Sequence, residues 1–118
     1  MEQEELLGQM EQELRRGTLV LCVLTELKRP MYGYSLVGVL SNKGLKVEAN
    51  TLYPLLRRLE GQGLLVSEWE TAGSKPRKYY RVTQEGDAVR RRLERAWRRT
   101  VETVTRVLEE REEDRDEE

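Results

Sequence analysis

The sequence predicts a mostly α-helical protein with a small β-hairpin: a winged helix-turn-helix carrying an N-terminal helix and one long C-terminal helix for dimerisation. Three observations predict it. Apolar residues recur at helical spacing in three short segments between residues 18 and 60. Two alternating stretches joined by a glycine- and proline-bearing loop follow over 65–83. From Val89 to Leu108 an apolar stripe then advances in steps of three and four. A chain of 118 residues suits one domain of this kind.

In the first segment Leu6, Leu7, Met10 and Leu14 share one face of an amphipathic helix despite Gly8. Residues 18–27 carry apolar side chains almost all round the helix axis, which predicts a buried central helix with Cys22 in the core. Pro30 disfavours helical geometry at the residue before it and closes that helix with Lys28 and Arg29. A short helix over 32–40 places Leu36, Val37 and Leu40 together, with Tyr32 and Tyr34 packing its first turn and Ser41 to Gly44 stopping it.

Residues 48–60 form the third helix, with Leu52, Leu55, Leu56 and Leu59 inward and Asn50, Thr51, Tyr53, Arg57 and Arg58 largely outward. Proline is cheapest in a first turn, so Pro54 argues for a start nearer Thr51 than Glu48. After Gly61 and Gly63, residues 65–70 read as a strand, 71–78 as a loop bearing Lys75, Arg77 and Lys78, and 79–83 as the returning strand. Tyr79 and Tyr80 then lie on opposite faces, one in the core. The last helix carries Leu93, Trp97, Val101, Val104 and Leu108 on its stripe. About 25 residues of helix span ~38 Å, more than so small a domain covers, so the stripe wants a partner helix. The acidic first helix wants one too, and a two-fold homodimer using Leu6, Leu7, Met10 and the C-terminal stripe answers both.

Charge sharpens the division. Charged residues make up 36% of the chain, yet the net charge is −1. Residues 1–14 hold five glutamates and no cation, 15–84 hold 12 cations against 5 anions, and 112–118 hold one cation against six anions. The expected organisation is a helix of the dimer interface over 1–14, a DNA-binding domain over 15–84, a dimerisation helix over 85–111 and a disordered acidic tail over 112–118.

Several function classes fall away. With no histidine and one cysteine, His-based triads, His-ligated metals, Cys/His zinc modules and intrachain disulfides are excluded. No glycine-rich phosphate cradle is present, and carboxylates on exposed ends lack the fixed geometry of acid–base catalysis. Neither enzyme activity, cofactor nor metal is expected. The acidic beginning is unlike a basic signal peptide and no apolar run approaches the ~18 residues of a membrane span, so the expected location is the cytoplasm.

Three helices followed by a hairpin put the third helix in a DNA major groove and the hairpin loop on neighbouring phosphates. Lys75, Arg77 and Lys78 are the phosphate candidates, with a solubilising hairpin tip as the plain alternative. Asn50 and Thr51 either cap their helix or reach a base edge, Tyr53 either packs on the core or faces DNA, and Arg57 and Arg58 are either a solvated face or backbone contacts. A winged-helix module that binds protein instead of DNA is the rival reading, to which the acidic termini lend support.

Four segments resemble the signature of PadR-type transcriptional regulators: PMYGYSL at 30–36, TLYPLLRRLE at 51–60, GL at 63–64 and RKYYRVTQEG at 77–86. The flanking helices are similar to those of the compact subfamily that includes multidrug-responsive repressors. The resemblance implies a bacterial homodimer that represses from an inverted-repeat double-stranded DNA operator. It also implies that Trp97, at the place where those relatives line an inter-subunit pore, either binds a small aromatic effector or simply packs the interface.

Overall fold

The structure is a computed structural model describing residues 2–117, with side chains described over 2–110. Along the chain run α1 (Glu2–Arg15), α2 (Thr18–Glu26), β1 (Met31–Tyr32), α3 (Gly33–Asn42), α4 (Ala49–Gly61), β2 (Leu65–Glu70), β3 (Arg77–Val82) and α5 (Gln84–Glu117). The fold is mostly helical with a small antiparallel sheet, as the periodicities predict.

Leucine spacing builds the core. Leu52, Leu55, Leu56 and Leu59 give α4 one continuous apolar edge, which closes on Val23, Leu24 and Leu27 from α2 and its end, and on Leu36 and Leu40 from α3. Leu65 and Tyr80 bring the sheet onto the same cluster, and Tyr79 is the partly exposed member of its pair. α2 is less enclosed than its composition predicts. Leu19, Val20 and Cys22 are only half-buried, because one chain covers one side of the helix. Partial burial, with Glu26 adding to it, still raises the Cys22 pKa and keeps the thiol protonated.

Besides β3, which begins at Arg77 and so takes Arg77 and Lys78 out of the loop expected over 71–78, three elements differ from the sequence reading. The hairpin gains a third strand, in the order β1-β3-β2, with Met31 opposite Tyr80 and Tyr32 opposite Tyr79. Two residues are too few to show alternation. α4 begins at Ala49, not near Thr51: Glu48 is its N-cap, and the Glu48 carbonyl accepts from the N–H groups of Thr51 and Leu52 at 3.0 and 2.9 Å. Pro54 therefore sits in the second turn, where it withholds a donor from Asn50; that residue is exposed, so water can take the place of the missing bond. Third, α5 continues as helix to Glu117, across most of the residues expected to form a disordered tail. No Gly or Pro follows Gly86, and the Glu and Arg that fill this stretch are good helix formers. Met1 and Glu118 lie outside the described residues.

α5 starts abruptly after the sheet. Thr83 alone separates β3 from α5, and its Oγ1 accepts from the Gly86 N–H at 2.9 Å, an N-cap bond. The same hydroxyl donates to the Gly63 carbonyl at 2.7 Å. Gly86 packs so closely that an added Cβ would stand 2.0 Å from the Leu64 carbonyl oxygen. One turn on, the buried Arg90 is held by Asp87 at 2.7 Å and Glu94 at 3.1 Å. The hydrogen bond from Arg90 holds the Asp87 carboxyl below its usual range. Just before this joint, the Val82 N–H donates to the Leu27 carbonyl at 2.8 Å and ties β3 to the end of α2.

Candidate nucleic-acid interface

α4 presents Asn50, Thr51, Arg57 and Arg58 to solvent, on the side opposite its leucines. Because Glu48 takes the cap position, Asn50 and Thr51 belong to the first turn and neither is the cap. Tyr53 resolves towards packing: it is half-buried, and a Cβ on Gly33 would lie 2.5 Å from its Cε1. Only glycine at 33 lets that ring lie against the start of α3. The contact places the polar face of α4 beside the first turn of α3.

The ladder sorts the three wing cations. Arg77 stands across the ladder from Glu70 and Lys78 from Trp69, so the two basic side chains leave opposite faces of the sheet, while Lys75 stays exposed in the connecting loop. Lys78 turns to the α4 side. Its Nζ lies 3.7 Å from Glu60 Oε1 and over the Trp69 and Tyr80 rings, at 5.8 and 5.5 Å from their centroids. The structure therefore brings Lys75 and Arg77 to open surface and engages Lys78 within the chain.

Arg77 leads to residues that sequence reasoning did not assign. Its guanidinium lies 4.7 Å from the Tyr32 ring centroid, and its Nη1 donates to the Tyr34 hydroxyl at 3.1 Å. Tyr32 and Tyr34 stack at 5.9 Å with 6° between planes, and Tyr79 meets Tyr32 edge-on at 6.2 Å. Each remaining hydroxyl finds a carboxylate: Tyr32 donates to Glu70, and Tyr79 donates to Glu68 at 3.0 Å. These bonds favour the protonated phenols and raise both pKa values. The bond to Tyr34 likewise raises the Arg77 pKa. Tyr34, expected to pack, is 57% exposed. The pairing of β1 with β3 creates the cluster, and a two-residue strand leaves no periodic trace in the sequence.

The surfaces expected to pair subunits are bare in the single chain. Leu6, Leu7 and Met10 on α1, and Trp97, Val101, Val104 and Leu108 on α5, are exposed, with Trp97 at 44%. Leu93 departs from that set. It is half-buried against its own core, because the first turns of α5 lie against α2. Among the described residues, no helix is long and apolar enough to cross a membrane.

Helices α2 to α4, the sheet behind them and the loop that projects from it define a winged helix-turn-helix protein. Residues 20–92 match the transcriptional regulator PadR-like family, and the chain belongs to that family. Membership places it among transcriptional regulators rather than enzymes. It is similar to a PadR family regulator from Eggerthella lenta, 54% identical with a TM-score of 0.87, over 92% of this chain and 96% of that one. A transcriptional regulator of Mycobacterium tuberculosis is 45% identical over 58 residues, 49% of this chain and only about half, 54%, of the relative's length. Bacillus subtilis PadR, solved with operator DNA, shares the fold at 20% identity and a TM-score of 0.60, over 64% of this chain and 45% of that one.

Proposed function

We propose that the chain is a homodimeric, DNA-binding repressor of the bacterial cytoplasm that recognises an inverted-repeat operator. The observation that carries this reading is the exposure of Asn50, Thr51, Arg57 and Arg58 on α4 and of Lys75 and Arg77 on the wing of a winged helix-turn-helix. Asn50 and Thr51 serve base edges, Arg57 and Arg58 the flanking backbone, and the wing cations the phosphates beyond. The fold shared with Bacillus subtilis PadR, which was solved with operator DNA, supports DNA as the partner by analogy.

Two copies joined through the bare faces of α1 and α5 present two such surfaces, to be matched to half-sites about 34 Å apart. Trp97 then lies where the two α5 helices meet, and a flat aromatic effector held there acts by favouring one separation of the recognition helices. DNA disfavours that effector to the same degree, because the coupling is reciprocal. Exposed Arg92, Arg95 and Arg99 on the same helix suit an anionic aromatic compound.

The test is a mobility shift with the DNA upstream of the coding sequence against a random duplex of equal length at physiological salt. The expected result is a clear preference for the upstream DNA, with log affinity falling against log salt at a slope of about −7 for ~4 phosphates per protomer. Equal binding to both duplexes overturns sequence-specific repression.

A further inference from the structure

Arg77 stands directly across the ladder from Glu70, a position where opposite charges ordinarily pair. The two do not pair: among the described residues, Arg77 makes no ion pair. Glu70 is occupied by the Tyr32 hydroxyl, and the guanidinium lies on the Tyr32 ring with Nη1 spent on Tyr34. Tyr32 thus separates the cation from its nearest acid, using its ring for one and its hydroxyl for the other. Both Arg77 and Tyr34 remain exposed.

The bond between Arg77 and Tyr34 also has a direction. The arginine N–H donates, so the tyrosine oxygen accepts and keeps its own hydrogen free to donate outward. The guanidinium keeps further N–H groups besides the one that bonds Tyr34. The Tyr34 hydroxyl and the Arg77 guanidinium, from different elements and joined by that 3.1 Å bond on one aromatic stack, keep the hydroxyl hydrogen and further N–H groups to offer the oxygens of a single phosphate.

Resting on the DNA-binding reading above, we propose that Tyr34 and Arg77 form one composite site for a DNA backbone phosphate at the root of the wing. Tyr34 is itself a phosphate ligand there, and Tyr32 positions the pair while holding Glu70 aside. The site anchors the duplex between the recognition helix and the wing loop, and adds a neutral donor to a surface otherwise read from its cations.

The test is a double-mutant cycle on the full chain with a fluorescein-labelled random 30-base-pair duplex, followed by anisotropy over a salt series, with thermal melting of each variant as the fold control. Arg77→Ala is expected to weaken binding and to flatten the salt slope by about 0.9 per protomer, because one phosphate is no longer neutralised. Tyr34→Phe keeps the ring stack and removes only the hydroxyl. It is expected to weaken binding about 5-fold per protomer in the otherwise native chain. In the Arg77→Ala background the same change should cost less than about 2-fold, because the shared phosphate is already lost. Native-like binding by Tyr34→Phe, or equal fold losses in both backgrounds, overturns the composite site while leaving DNA binding intact. Failure of the native chain to bind the duplex at low salt instead removes the DNA-binding reading itself.

Discussion

At Gly86 a change of one methyl group opposes two effects of different size. Alanine improves helix propensity by about 1 kcal/mol, but its Cβ would meet the Leu64 carbonyl oxygen at 2.0 Å and the Val82 side chain at 2.6 Å. Overpacking against fixed backbone costs about 3 kcal/mol, so Gly86→Ala should destabilise the protein by roughly 2 kcal/mol in urea unfolding. Nearby, Asp87 has a lowered native pKa through its bond from Arg90. Its contribution is complete above the ordinary carboxylate value and is lost as pH falls through the lower native one. Asp87→Asn should therefore lower the melting temperature at neutral pH, and the gap from the native chain should close as the medium is acidified below the carboxylate range. A gap that stays constant down to strong acid would show that the carboxylate's charge is not what stabilises the helix start. The physical role of neither residue shows in the sequence: Gly86 closes the RKYYRVTQEG segment without revealing the carbonyl it packs on, and Asp87 is one acid among many.

Among the elements, α5 is the one whose sequence signal was clearest and whose start was least visible. The stripe from Trp97 to Leu108 follows from steps of three and four and is exposed as a face awaiting cover. Leu93 lies on the same stripe but falls where the helix still touches α2, and spacing alone does not distinguish a residue facing its own core from one facing a partner. The same limit applies to the wing, where adjacency of Arg77 and Lys78 in sequence put them in one cluster although a strand sends neighbours to opposite faces. Leucine periodicity gave α4 its buried edge correctly, whereas the N-terminus depended on Pro54, and proline is tolerated a turn later than expected where the deprived carbonyl belongs to an exposed residue. For α5, Val101→Glu places a charge in the middle of the bare face. In sedimentation velocity it should shift the protein from dimer towards monomer. Affinity for a two-half-site duplex should drop by at least 10-fold while binding to nonspecific DNA falls less. A variant that sediments as the native protein would relocate the subunit contact.

Taken whole, the molecule is far more extended than a globule of its length. Its radius of gyration is 18.2 Å and its longest axis 68 Å, whereas a globule of this length has a radius near 13.5 Å. The excess comes from α1, which buries none of its residues, and from α5, whose 34 residues span about 51 Å. Loss of α1, or of the part of α5 beyond Ala96, should accordingly leave the central core folded but scatter X-rays as a smaller, rounder particle. Removal of residues 1–15 that leaves the solution size of the assembly unchanged would show that α1 has no part in pairing. Thr83 gives this shape its consequence: a one-residue joint whose hydroxyl is fastened on both sides admits almost no bending. The long helix is therefore a lever fixed to the wing, and if two copies pair through it as proposed, whatever prises the levers apart at their middles swings both wing tips with them.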